Sequence, residues 1–364
     1  MSRNQLSLIE LNEETVVSED STGEYYFYTK NSKREIVPVI DPVLNQMAKD
    51  KLLSIFTKLE NIPRYYIENW DKVKLYSPRG DIASANSLLI EPSEGSYNLK
   101  NNMNDLTGKE WTKFSCSWFI FNALHSDLKE EREVSEHLQH HPATFSPTMI
   151  SDFVKFFTKE NALVIDPFAG IGSTLVGCRR TGRIGYGIEL STKYYDLIKL
   201  RVPEFEKNIF NYDSTKMDEL NLPQFDFSIS SPPYWDVLNR STDGFKNERD
   251  SKGFDSSYST ENEDLGNIED YDLFLDTVCS VYEKLFKFMK HGSYICVIVK
   301  NVKKGGKLYP LAWDIAKRLG NLYTLKDEKI WIQDKVSLSP YGYPHTWASN
   351  ILHHYCLIFR KDQL

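Results

Sequence analysis

From about residue 139 onward the chain alternates segments whose apolar residues recur every three or four positions with short unbroken apolar runs. Few architectures accept that alternation. Helices that follow strands one for one bury their apolar stripes by covering a parallel sheet, so the C-terminal two-thirds is expected to be α/β. Residues 148–159 carry Ile150, Phe153, Val154 and Phe157 on one helical face, and 162–165 read as a short buried strand. A helix over 173–181, a strand over 183–189, a helix over 191–200 and a buried strand over 225–229 follow. Farther on, the spacing predicts a helix over 271–290 stopped at Gly292, then a strand over 293–299. A helix over 308–319 ends at Gly320, and 328–332 and 355–359 form a final strand pair.

The first hundred or so residues mix a strand-like run at 24–29 with a helix-like 44–59. They are expected to form a smaller α+β accessory region, residues 1–110, to which target recognition could fall, ahead of a domain spanning 111–364. Residues 236–272 are rich in Ser, Asp, Glu, Asn and Gly and poor in aliphatics, which predicts a long mobile loop. No run of about 18 apolar residues occurs, and Met1-Ser2-Arg3-Asn4 opens no signal peptide, so a cytoplasmic protein without membrane partners is expected. Five scattered cysteines without a Cys-x-x-Cys pair suggest neither a disulfide framework nor a thiolate metal site.

The chemistry concentrates in two segments. The first, Asp166-Pro167-Phe168-Ala169-Gly170-Ile171-Gly172-Ser173, follows a strand and precedes a helix. Glycines at 170 and 172 let the backbone turn tightly and approach a ligand. A dinucleotide fingerprint would need a third glycine at 175, where Leu175 stands, so the nicotinamide reading is disfavoured. Glu189 ends the next strand about 20 residues on, where a carboxylate can accept from ribose hydroxyls. Asp213 falls at the end of a third strand and suits an exocyclic amino group such as adenine N6.

The second segment is Ser231-Pro232-Pro233-Tyr234. An exocyclic amine on cytosine or adenine is a poor nucleophile because its lone pair is delocalised into the ring. A Ser231 hydroxyl and the Pro232 carbonyl can accept its hydrogens, and the two prolines fix the backbone so that the carbonyl is preorganised toward developing positive charge. Tyr234 offers a face on which an extruded base can stack.

Together these residues resemble the amino-group DNA methyltransferases that use S-adenosylmethionine, particularly the Ser-Pro-Pro-Tyr type. The resemblance covers residues 106–360 and rests on His141-Pro142, 166–174, Glu189, 231–236, 265–271 and Tyr341-Gly342-Tyr343-Pro344. It implies a Rossmann-like methyltransferase sheet with helices on both faces and S-adenosylmethionine as cofactor. It also implies that His141, Pro142 and Thr148 help hold the methionine end, while Asp166, Pro167, Phe168, Gly170, Gly172, Ser173 and Thr174 form the cofactor floor. Glu189 matches the ribose ligand, Asp213 the adenine ligand, and Ser231, Pro232, Pro233 and Tyr234 the catalytic turn.

A Ser in the first position of that turn is typical of cytosine-N4 enzymes, and Asp or Asn of adenine-N6 enzymes. The expected activity is methylation of N4 of a flipped cytosine in double-stranded DNA. Adenine-N6 methylation, RNA methylation and a catalytically idle DNA-binding subunit of a restriction or defence system are the alternatives. A cognate restriction endonuclease is a conceivable partner, and the oligomeric state is left open. Trp235, Asn239, Arg240, Lys300, Lys303 and Lys304 are the expected DNA contacts, although a net charge of -7 gives no overall basic footprint. His137, His140 and His141 have a ligand-like spacing that no cysteine or carboxylate completes, so no metal is expected.

Overall fold

The computed structural model describes residues 16–19, 25–30, 36–39, 62–69, 72–76, 87–91, 93–122, 145–235, 265–335 and 338–362. The chain divides into two compact units, Met1–Ser115 and Cys116–Leu364. The first holds two antiparallel three-stranded sheets, β1 (Val16–Glu19), β2 (Tyr25–Lys30) and β3 (Ile36–Val39), then β4 (Lys74–Tyr76), β5 (Ser87–Leu89) and β6 (Tyr97–Asn98). Two short helices, α1 (Arg64–Glu68) and α2 (Gly108–Phe114), accompany them. Thr107 starts α2 with a capping box: its side chain accepts from the Glu110 N–H, and the Glu110 carboxylate takes the Thr107 N–H. Tyr66 and Tyr97 pack 5.5 Å apart in this unit's core. The helix expected over 44–59 lies outside the described residues.

The second unit runs β7 (Trp118–Ile120), α3 (Pro147–Phe157), β8 (Leu163–Asp166), α4 (Ser173–Arg180), β9 (Ile184–Glu189), α5 (Thr192–Arg201), β10 (Ile209–Asn211) and β11 (Phe225–Ser230). It continues with α6 (Tyr271–Leu285), β12 (Met289–Val299), β13 (Val302–Lys304), β14 (Lys307–Tyr309), α7 (Leu311–Leu319), β15 (Thr324–Ile332) and β16 (His353–Arg360). Eight of these strands make one sheet in the order β10-β9-β8-β11-β12-β16-β15-β7. All neighbours pair in parallel except those of β16, which is antiparallel to both β12 and β15.

Alternation along β12 shows why both faces of the sheet need helices. Ile295, Val297 and Val299 enter one core with Phe274, Val278 and Ile315 of α6 and α7. Tyr294, of opposite parity, meets Phe157 of α3 at 5.1 Å, and Phe157 stacks on Phe227 of β11 at 5.0 Å. A strand buried on two sides reads as a continuous apolar run, which is what the sequence shows at 295–299.

One boundary departs from the expectation. Gly292 does not stop a helix: α6 ends at Leu285, and Gly292 lies inside β12 with φ +80°. The pairing with β11 slips there, from Phe225 opposite Met289 to Phe227 opposite Tyr294. Glycine serves a bulge in a strand by the same left-handed freedom that suits it to end a helix, so the residue alone did not separate the two.

Candidate active site

Outward from β8 the chain lays down β9 and β10 on one side, then returns to place β11 on the other. A reversal of this kind leaves a crevice at the carboxyl ends of the strands. Asp166 closes β8, Glu189 closes β9, Asp213 follows β10 and Ser231 follows β11. All four line one cleft of about 1040 Å³, its open mouth included. Pro167, Phe168, Gly170, Ser173, Thr174, Pro232, Pro233 and Tyr234 line it as well.

In the donor half, the loop after β8 is pinned before any ligand arrives. Glu189 Oε2 accepts the Gly170 N–H at 2.7 Å and Oε1 the Ser191 N–H at 2.9 Å. The buried Arg201 guanidinium donates to the Ile171 carbonyl from α5, and Ile171 packs with Tyr194 and Leu197. Gly172 caps α4 at φ +82°, where a Cβ would lie 2.9 Å from Ile198 Cγ2.

Asp166 accepts from Thr174 Oγ1 at 2.6 Å and from the Phe168 N–H at 2.9 Å. Burial outweighs both bonds and pushes its carboxyl up to about 7. Ser173 Oγ is buried in the described structure without a hydrogen-bond partner, on the first turn of α4. An orphaned hydroxyl on the cleft wall is accounted for by a polar ligand that completes it. Asp213 caps the turn after it, accepting from Thr215 N at 2.8 Å and Oγ1 at 2.7 Å, and its other oxygen meets Lys216 Nζ at 3.2 Å. These donors and acceptors fit an adenosyl group bearing a cationic amino acid end.

In the acceptor half, β11 delivers Ser230 and Ser231 to the cleft and two prolines hold the turn. Ser231 Oγ donates to the Tyr234 hydroxyl at 3.3 Å. That bond directs the hydroxyl hydrogen to Tyr234 and leaves the oxygen lone pairs available.

Several expected site residues stand elsewhere. Thr148 is exposed on α3 and takes a hydrogen bond from Arg180 at 3.3 Å, because it falls on the outward side of the helical turn while Ile150 faces the cleft. Gly172 is not on the cleft wall: its missing side chain makes room for Ile198 rather than for a ligand. Trp235 is 3% exposed, between Tyr271 and Tyr309, with Lys304 Nζ 4.6 Å from its ring and its indole N–H on the Glu269 carbonyl. It therefore presents no face to a nucleic acid. Lys303 Nζ donates to the Ser349 carbonyl and hydroxyl, while Lys300 is half-buried and desolvation lowers its pKa. His137, His140, His141, Pro142, Asn239, Arg240 and most of 236–272 lie outside the described residues.

Phe145, Tyr194, Leu265 and Ile298 are among the wall residues that sequence reasoning missed. They are apolar residues at element edges, and nothing in their type distinguishes a cleft wall from a core.

A family model described as DNA methylase matches residues 18–200, a span that holds the loop after β8 and Glu189 and stops short of Ser231. YubD of Escherichia coli (strain K12) is 44% identical over 57 residues, 16% of this chain and 25% of that protein. The type II methyltransferase M.HindIII of Haemophilus influenzae is 32% identical over 163 residues, 39% of this chain and 52% of that protein. A DNA modification methylase from Thermus thermophilus, solved complexed with S-adenosyl-L-methionine, matches at 24% identity with a TM-score of 0.28 over 42% of this chain and 54% of that one. The matches to YubD and M.HindIII thus span about a quarter and about half of those proteins.

Proposed function

This chain belongs to the DNA methylase family, with S-adenosylmethionine as its cofactor, and we propose that it methylates the exocyclic amino group of a base in double-stranded DNA, N4 of a cytosine turned out of the helix. The observation that carries this reading is the Ser231 Oγ to Tyr234 hydroxyl bond at 3.3 Å beside the rigid Pro232-Pro233 turn. With its hydrogen committed to Tyr234, Ser231 Oγ is left as an acceptor for one amine hydrogen, and the Pro232 carbonyl accepts the other. Both pull the nitrogen lone pair out of conjugation and stand toward the positive charge that develops on nitrogen.

Phe168, Gly170, Ser173, Glu189 and Asp213 would hold S-adenosylmethionine, which supplies, when bound, a methyl group activated by a sulfonium. Tyr234 carries the extruded base on its ring. Direct transfer needs no enzyme nucleophile. Lys300, at the carboxyl edge of the sheet, is the described residue we assign to DNA, and Asn239 and Arg240 follow the catalytic turn in sequence. None of the described helices is long and apolar enough to cross a membrane, and a cytoplasmic location completes the proposal.

The serine at position 231 favours cytosine. Mass spectrometry of nucleosides from unmethylated DNA, incubated with the protein and S-adenosylmethionine, tests it. N4-methylcytosine is the expected product, N6-methyladenine would replace the base and keep the chemistry, and an unmodified digest would overturn the proposal.

A further inference from the structure

Three neighbouring strands each carry one side chain on the same face, next to Tyr234 and behind the cleft wall. Trp331 of β15 pairs across to His354 of β16, and Lys300 follows Val299, whose partner on β16 is Tyr355. Tyr355 packs against the core beneath α6 and α7, so strand alternation turns His354 the other way, to the face from which Ile298 and Ile150 line the cleft.

His354 is 7% exposed, and its Nδ1 is buried with no hydrogen-bond partner. Buried imidazoles are ordinarily oriented by hydrogen bonds from their ring nitrogens. Here the ring is oriented by stacking instead, 4.4 Å from Trp331 at 23°. Trp331 is itself fixed by its indole N–H on the Phe121 carbonyl at 2.9 Å and by Phe145 at 5.5 Å. His354 also lies 6.0 Å from Tyr234, with the two ring planes tilted by 41°. The imidazole is thus held in place beside the catalytic turn with a polar atom uncommitted.

We propose that His354 donates its Nδ1–H to the ring nitrogen adjacent to the amino-bearing carbon of the acceptor base, N3 of cytosine or N1 of adenine, and so orients that base. The inference rests on the acceptor reading given above. Cytosine and adenine both present a bare ring nitrogen next to the amine. Guanine flanks its amine with an N–H on one side and a bare N3 on the other, so the contact orients a base without excluding guanine. Burial, with Lys300 and His353 nearby, keeps the His354 ring neutral by lowering its pKa to about 3. A neutral donor orients the base without adding positive charge beside a nitrogen that becomes positive during transfer.

The test is a cycle on duplex oligonucleotides carrying the methylated position, with either the natural base or its analogue in which that ring nitrogen is replaced by C–H. Wild-type protein is expected to lose roughly tenfold or more in kcat/KM on the analogue, as for a buried donor left unpaired. His354→Phe, shown folded by retained S-adenosylmethionine binding, is expected to treat the two duplexes alike. Equal rates of the wild-type protein on both duplexes, or undiminished discrimination by His354→Phe, would overturn the inference. The wild-type comparison needs no variant, so a His354→Phe protein that failed to fold would leave the test standing. Absence of methyl transfer to the natural duplex would instead sink the acceptor reading and this inference with it.

Discussion

The Tyr282 hydroxyl lies 2.8 Å from Ser230 Oγ, in the interior and next to the Ser231-Pro232-Pro233-Tyr234 turn. Tyr282 is wholly buried on α6, its ring is 6.1 Å from that of Phe168, and its carbonyl takes the Tyr323 hydroxyl at 2.9 Å. One side chain therefore backs both the floor of the donor half and the last residue of the strand that presents Ser231. The loop after β8 and the turn after β11 thus meet through packing at the point where the strand order reverses.

Tyr282→Phe removes that hydroxyl and leaves Ser230 Oγ buried without a partner. An orphaned buried polar group costs about 1–3 kcal/mol. Urea unfolding is expected to show a lower midpoint with an unchanged slope. A midpoint equal to wild type would mean that Ser230 finds another partner.

Gly172→Ala should be destabilising for two reasons that act together. A non-glycine residue at φ +82° costs about 1–3 kcal/mol, and its Cβ would press on the buried Ile198. The thermal midpoint should fall, and S-adenosylmethionine binding should weaken as the adjoining Gly170 turn shifts. Because Gly172 is off the cleft wall, the affinity loss is expected to follow the loss of stability.

The layered α/β arrangement was legible because periodicity reports burial, and burial on two faces of a strand has few solutions. Asp166, Glu189 and Ser231 were legible because strand ends in such a sheet converge, so residues distant in sequence were predicted neighbours. Trp235 was misassigned because an aromatic beside a catalytic turn reads alike whether it faces a ligand or, as here, Tyr271 and Tyr309. Thr148 failed for a different reason: a resemblance fixes a position in sequence but not which side of the helical turn faces the cleft. His354 gave no local signal, since its position depends on the pairing of β15 with β16 across 20 residues.

Asp166 makes the cofactor-free protein sensitive to pH. Its folded carboxyl holds a proton up to about 7, whereas the ordinary value is 3.8. The folded state binds more protons across that window, so this contribution to stability is full below about 3.8 and is lost as pH rises through about 7. Asp166→Asn should remove the dependence, and the gap between the thermal midpoints of variant and wild type should widen in the variant's favour as pH rises across the window. S-adenosylmethionine is cationic at its sulfonium and favours the ionised carboxylate. Its affinity for wild type should therefore increase as pH rises through about 7, and Asp166→Asn should flatten that rise. Calorimetric titration across this range checks it, and a flat wild-type profile would argue that Asp166 stays protonated with ligand bound.

Ser231→Ala separates chemistry from binding. The hydroxyl makes one long bond to Tyr234 at 3.3 Å, and its residue is only partly buried, so its removal should change stability little. S-adenosylmethionine affinity should also stay close to wild type, because the donor half is organised by Glu189 and Arg201 rather than by the catalytic turn. Turnover should fall by about 10²–10³, the range found when one preorganised group facing developing charge is removed. Single-turnover rates with saturating cofactor isolate that step from release of product. Equal losses in rate and in cofactor affinity would indicate that the turn had collapsed into the cleft, and an unchanged rate would leave the Pro232 carbonyl to activate the amine alone.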